Sequence, residues 1–280
     1  MQVVHALREH GPLNIKTIQK ILYPPIELRR CQEVVQNLYR KKYIDIHRAI
    51  LGSVAHGHYY ISENKQIRKK VAAFSGIDPA DFRVCGVQDA ELPHAEECAL
   101  WTANLRGMFP DGRVVRDWEL QRDADLLQHI LLDWGNRDCM PDLVLSVDRE
   151  GDAQPILLAV EIERSRKAFP RLRKKLHSLA WGATYDGVLY VCENQSIRNA
   201  VFKSIDEEDL LKSRRIGTYV DNYFQFCSFG DWQRGLELPM CNSKLGNTTL
   251  TSWISTLKAH PVRQRRNFHF NSSSVTPLVN

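Results

Sequence analysis

Two hydrophobic periods alternate along this chain, one helical at about 3.6 residues and one of 2 that marks strands, and their order lays out its organisation. Ile15, Ile18, Ile21 and Leu22, then Leu28, Cys31, Val35 and Leu38, recur at helical spacing. The first set predicts a helix capped by Asn14, after a short helix over residues 1–10 that Gly11-Pro12 closes. The second predicts a helix over 26–42, with Pro25 at its start. Apolar runs at 43–46, 50–53 and 58–61 read as strands, and 67–80 as a linker or short helix. Farther on, the pattern predicts a strand at 82–87, a helix over 93–107, a strand at 113–120 and a helix over 124–134. Two β-branched runs, 143–147 and 156–163, flank a polar loop around Gly151 and read as a hairpin. A basic helix over 167–181 follows, its start confined by Pro170, then a buried strand at 187–192, a helix over 196–205 and an edge strand or hairpin within 219–229. From Asn242 onward Asn, Ser, Thr and basic residues dominate, which predicts weak order with one short helix near Trp253.

This order predicts an α/β chain, α+β overall: a DNA-binding head at 1–66, a linker at 67–80, a mixed-sheet domain at 81–241 and a poorly ordered basic tail at 242–280. With 280 residues, 43% hydrophobic and 25% charged, the chain has ample material for a core and no apolar run of membrane-helix length. Seven scattered cysteines, none in a Cys-x-x-Cys pair, argue against a zinc site or a disulfide framework and fit a reducing, cytoplasmic setting. The formal charge of +5 is unevenly spread. Residues 1–70 carry 13 Lys/Arg against 5 Asp/Glu, residues 71–257 carry 21 against 28, and the tail from Lys258 has four basic residues and no acid. A basic head and tail around an acidic centre suit a polyanionic partner held at the ends.

The hairpin at 143–163 carries the chemistry. In a strand, residues i and i+2 share a face, so Glu161 and Glu163 point the same way. A hairpin symmetric about Gly151-Asp152 places Asp142 opposite Glu161. Three carboxylates on one patch repel one another unless a divalent cation with oxygen ligands, Mg2+ or Mn2+, resolves the crowding. The structural alternatives are a strand start at Asp142 and surface ion pairs from Glu163 to Arg164 or Arg166. Glu96 and Glu97, in the first turn of a helix, equally suit its dipole.

Three helices followed by a hairpin is the order of a winged helix-turn-helix, whose third helix reads DNA. Here that helix and its surroundings offer Arg29, Arg30, Gln32, Glu33, Gln36, Asn37, Arg40, Lys41 and Arg48, of the kinds that meet base edges and phosphates. A small helical domain that docks protein is the alternative. His56-Gly57-His58 reads as a solvated wing tip.

The succession helix, strand, Pro141-Asp142 strand, Glu161-Ile162-Glu163 strand, basic helix, strand resembles the PD-(D/E)XK nuclease superfamily. Joined to the N-terminal head, with Trp118-Glu119, Glu161-Ile162-Glu163-Arg164 and Lys175-Leu176, residues 10–205 look like the replication-relaxation family, which includes the MobC-type relaxases of mobilisable plasmids. The resemblance implies a restriction-endonuclease-like mixed sheet flanked by helices, with Asp142, Glu161 and Glu163 as metal ligands and Glu97 or Glu119 as a further acid. It implies catalytic roles for those ligands and for Lys175, which would stabilise charge on the phosphate or orient the water. The family's lysine two residues after the last acid is absent; Glu163 stands there. The implied function is metal-dependent nicking of one strand of double-stranded DNA at a plasmid transfer origin, with an accessory mobilisation protein as partner. The rivals are a DNA-binding regulator with a degenerate nuclease core and an accessory protein that bridges DNA to a partner. Tyr23, Tyr39, Tyr43, Tyr59 and Tyr60 are the tyrosines open to a covalent DNA link.

Overall fold

The computed structural model describes residues 2–22, 24, 26–51, 54–78, 88–122, 127, 130, 140–149, 155–181, 184–207, 223–231, 239–242 and 246–259. The chain divides into two compact units, residues 1–104 and 105–280.

In the first unit, α1 (Gln2–His10), β1 (Leu13–Asn14), α2 (Ile15–Ile21) and α3 (Leu28–Arg40) lead into the hairpin β2 (Ile44–Leu51) and β3 (Val54–Ile61). Asn14 caps α2 through its side chain, which accepts from the Thr17 amide at 2.9 Å. Cys31, Val35 and Leu38 of α3 are buried, whereas Leu28, expected on the same stripe, is exposed because it sits in the first turn. The sheet order is β1-β3-β2, all antiparallel. Register pairs Leu51 with Val54 at the far end of the hairpin, and His56-Gly57-His58 lies within β3. That corrects the wing-tip reading: His58 is fully buried, its Nε2 lies 3.3 Å from Glu96, and β3 is the centre strand. The expected linker is largely α4 (Lys65–Ser75), capped by Asn64 and ended by Gly76 in the left-handed conformation that favours glycine. The expected strand at 82–87 lies outside the described residues. Helix α5 (Leu92–Met108) carries the chain from one unit to the next.

The second unit is built on a seven-stranded mixed sheet in the order β10-β9-β8-β7-β6-β5-β4. Strands β4 (Arg113–Arg116), β5 (Leu143–Val147) and β6 (Ile156–Glu163) pair antiparallel; β6, β7 (Gly187–Cys192) and β8 (Phe224–Ser228) run parallel. The parallel crossovers are α7 (Phe169–Trp181) and α8 (Gln195–Glu207), as parallel pairing requires. Strands β9 (Pro239–Asn242) and β10 (Gly246–Thr249) extend the sheet, so β8 is interior where an edge strand was expected. The expected strand at 113–120 ends at Arg116; Asp117–Leu120 form a helical turn, α6, whose first amide donates to the Asp142 carbonyl at 3.0 Å. The helix expected over 124–134 lies almost wholly outside the described residues.

Leu172, Leu176 and Leu179 of α7 and Ile197, Val201 and Ile205 of α8 pack with Leu157, Ala159, Val188, Tyr190 and Phe226 into one core. The stretch after Asn242, expected to be weakly ordered with one short helix near Trp253, holds β10 and then that helix, α9 (Leu250–Ala259), with Leu250, Trp253, Ile254 and Leu257 buried. The Trp253 indole lies over Gly187 and Leu158, on the other side of the sheet from Leu157 and Ala159. A Cβ at Gly187 would come 2.4 Å from Cζ2 of that ring, so glycine here is what lets the indole reach the backbone. Asp186 fixes the start of β7: its amide donates to the Leu157 carbonyl and its Oδ2 accepts from the Leu157 amide, both at 2.7 Å. No helix among the described residues is long and apolar enough to cross a membrane.

Candidate active site

The β5–β6 register sets the site. Leu143 pairs with Val160 and Val147 with Ile156, so one step farther Asp142 stands across from Glu161, the register expected from symmetry about Gly151-Asp152. Asp142 closes that end of the hairpin by accepting from the Ile162 amide through Oδ2 at 2.7 Å. Glu161 and Glu163 follow Leu157 and Ala159 along one face of β6, beneath α7, and are 2% and 4% exposed.

These carboxylates do not face one another unpaired. Lys175 lies on α7 beside the buried stripe, its Nζ 2.8 Å from Glu161 Oε1, and it donates to the Met140 carbonyl at 2.5 Å. Lys167, in the loop before α7, places its Nζ 2.6 Å from Glu163 Oε2. Two ammonium groups thus offset much of the crowding that the sequence pattern alone predicts. Burial pushes the Glu161 carboxyl up to about 7; Lys175 and Lys167 pull it down and Asp142 adds to the rise. Burial pulls the Lys167 ammonium down, but Glu161 and Glu163 outweigh it and hold the group above the ordinary lysine value. Tyr190, paired in register with Glu161 on β7, is fully buried, and its hydroxyl has no hydrogen-bond partner among the described residues. Burial and the two glutamates drive its pKa well above the ordinary tyrosine value.

The donor set is oxygen only, which suits a hard divalent cation such as Mg2+ or Mn2+ and not a thiolate-seeking metal. The three carboxylates do not each bring an oxygen within 4.8 Å of the others, so a cation there would be held by one or two of them and retain water. Magnesium commonly does so. The chemistry of these oxygens suits such an ion, Asp142 and Glu161 standing across the hairpin from one another in register.

Of the further acids, Glu119 is occupied elsewhere: its carboxylate accepts from the Arg116 amide at 2.9 Å, capping α6. Glu97 lies half-buried on α5 in the first unit, beside Glu96, which accepts from the Asn14 amide at 2.7 Å. The helix-dipole explanation of that pair therefore gives way, for Glu96, to a tertiary bond that fixes the start of α2. Lys167 is the residue the sequence reading missed. The signal was Arg164-Ser165-Arg166-Lys167 directly after Glu163, a basic run that the strand delivers to its own last carboxylate.

On the first unit, Arg29, Arg30, Gln32, Glu33, Gln36, Asn37, Arg40, Lys41 and Arg48 are all exposed. Glu33 lies 3.5 Å from Arg29 and 3.3 Å from Arg30, solvated pairs that leave both guanidinium groups able to exchange partners. Tyr39 is exposed, Tyr43 stacks on Phe74 with ring centroids 5.9 Å apart, Tyr59 and Tyr60 are half-buried on β3, and Tyr23 lies outside the described residues. No protein-family model, curated protein or solved structure matches the chain.

Proposed function

We propose that this chain is a metal-dependent DNA endonuclease, of the mobilisation-relaxase kind, that nicks one strand of a plasmid transfer origin. The observation that carries the reading is the convergence of Asp142, Glu161 and Glu163 at one end of the β5–β6 hairpin, with Lys175 and Lys167 at 2.8 and 2.6 Å from the two glutamates. The order helix, three antiparallel strands, basic helix, parallel strand supports a PD-(D/E)XK-like core. In the first unit, three helices, a two-residue strand on β3 and a long hairpin support a winged helix with α3 as its reading helix.

A bound Mg2+ or Mn2+ supplies positive charge that polarises the scissile phosphate and makes attacking water more acidic. Asp142 and Glu161 would hold that charge at the sheet end, with Glu163 one pleat beyond. Lys175 and Lys167 answer the missing Glu-x-Lys lysine: each is a cation at a carboxylate, placed to take up charge that builds on a phosphate oxygen. A second reading, a non-catalytic DNA-binding regulator, draws on the same ion pairs, because two ammonium groups already satisfy the glutamates.

Nicking of supercoiled plasmid separates the two. The parent protein is expected to relax it only with Mg2+ or Mn2+, and Glu161→Gln to lose at least a hundredfold in rate while binding duplex DNA like the parent. Lys175→Ala is expected to slow nicking while keeping metal-linked thermal stabilisation. A parent protein that neither nicks nor is stabilised by either metal would hand the lead to the regulator. Replacing Arg29 and Arg30 by Ala is expected to weaken duplex binding and lower the salt slope by about 2, one per lost phosphate contact. A gel-shift salt series with unchanged slope would move the duplex surface off α3.

A further inference from the structure

The parallel strands β6, β7 and β8 end in one row, since Glu163 pairs with Cys192 and Cys192 with Ser228. In sheets of this kind ligands gather at the carboxyl ends of the strands. Two half-buried aromatic rings follow in the chain, Phe229 directly after β8 and Phe169 at the start of the helix after β6, and both carry cations. Arg164, directly after Glu163, lies over Phe229, directly after Ser228, at 5.7 Å from the ring centroid. Arg166 and Lys203 lie over Phe169, the first residue of α7, at 5.6 and 5.5 Å. In the chain, Arg164 and Arg166 bracket the approach to Lys167, the partner of Glu163. Residues 164–185 hold seven Lys/Arg and no Asp/Glu. Arg164 also lies 3.5 Å from Glu193, in a partly solvated pair.

We infer that Phe229 with Arg164, and Phe169 with Arg166 and Lys203, form a platform for single-stranded nucleic acid that lays its backbone across the Glu163–Lys167 edge. A duplex buries its base faces in its own stack and offers a protein mainly phosphates and groove edges. A single strand offers each base face, and a phenyl ring with guanidinium groups beside it meets both a base and its phosphate. The platform lies on the second unit, whereas the duplex-reading residues lie on the first, so the two surfaces take different forms of DNA. The inference deepens the cleavage reading, and rests on it for the purpose of the platform but not for its existence.

The test is fluorescence anisotropy of the full chain in chelator, with a labelled oligothymidylate of about 20 nucleotides, longer than one binding site, and a duplex of equal length. Phe169→Leu with Phe229→Leu keeps apolar volume but removes both π faces. It is expected to weaken oligothymidylate binding about 10- to 100-fold and to leave duplex binding within about twofold of the parent. The Arg29/Arg30→Ala protein is expected to show the reverse. Unchanged oligothymidylate affinity, or an equal loss for both ligands, overturns the platform. If the leucine pair does not fold, Arg166→Glu with Lys203→Glu, both on exposed side chains, must give the same selective loss, and failure to do so overturns it equally. A selective loss in a parent protein that never nicks leaves the platform standing and removes only the cleavage reading. Metal-dependent nicking with unchanged single-strand binding does the opposite.

Discussion

Metal-free Glu161→Gln protein is expected to be more stable than its parent above pH 7, by about 3 kcal/mol, and equally stable near pH 4. Glu161 is buried and its carboxyl is raised from 4.5 to about 7, first by loss of water around it. A folded-state value above the unfolded one means that the fold binds this proton more tightly than the open chain does. The stability this contributes is therefore complete below about pH 4.5 and lost as the pH rises through about 7, where the buried carboxylate ionises. Gln imitates the neutral acid at every pH, and its amide oxygen can still accept from Lys175, which also keeps the Met140 carbonyl. Urea unfolding of both proteins at pH 4, 6 and 8 in chelator reads the difference, and subtraction removes the other titrating groups. A parent protein that is the more stable at pH 8 would show that the Lys175 ion pair outweighs burial, against the direction derived above.

That difference also bears on the chemistry. A site that costs stability when it ionises is kept for something other than stability. The ammonium groups of Lys175 and Lys167, at 2.8 and 2.6 Å, offset only part of the cost of leaving the glutamates without metal. A cation must then compete with two lysines, which predicts weaker metal binding than three bare carboxylates would give. On the proposed reading, Lys175 released from Glu161 would become available to a phosphate, so that one exchange would serve both ion and substrate.

How much of this was legible in the sequence varies with the range of the forces. The hairpin register was readable, because symmetry about the polar loop at Gly151-Asp152 pairs 143–147 with 156–160 and keeps the apolar faces in phase. The buried stripe of α7 was readable from its helical period, and with it the side on which Lys175 lies. The lysine partners of the glutamates were not, because periodicity says nothing about which of seven cations in 164–185 turns inward. Lys167 lies in a loop, and the loop's path depends on where α7 docks. His58 was misplaced for a related reason. Gly57 looks like a turn residue, yet its Cβ position meets Ile46 Cδ1 at 3.0 Å, so the glycine serves close packing inside β3 rather than a bend. Glu119 was a plausible ligand by residue type until a tight turn at Asp117 converted it into a cap.

The tail yields the sharpest expectation about stability: the short helix expected near Trp253 is there, and it is buried rather than weakly ordered. Cutting the chain after Thr249 is expected to abolish cooperative folding of the second unit, whereas cutting after Ala259 is expected to shift the melting temperature only slightly. Polar composition after Asn242 suggested weak order, but Leu250, Trp253, Ile254 and Leu257 recur on one face of a ten-residue helix and are all buried. At about 1.5–3 kcal/mol for each fully buried side chain, losing four approaches the whole stability of a typical domain. The gap is also one the sheet cannot close, because Gly187 offers no side chain where the indole lay. Arg149 ties the helix in further, donating to the Leu257 carbonyl at 3.3 Å and lying 3.8 Å from Asp186, which starts β7. Trp253→Ala alone is expected to cost about 3–5 kcal/mol. Gly187→Ala is expected to cost about 1–3 kcal/mol, because its Cβ would press on the same ring. The Gly187→Ala, Trp253→Phe double variant is expected to lose less stability than Gly187→Ala and Trp253→Phe lose separately when added, since the smaller ring leaves room for the new methyl. Urea midpoints of the four proteins in that cycle measure the coupling. Additive losses, or a protein ending at Thr249 that still melts cooperatively at the parent temperature, would show that α9 rests on the sheet without holding it.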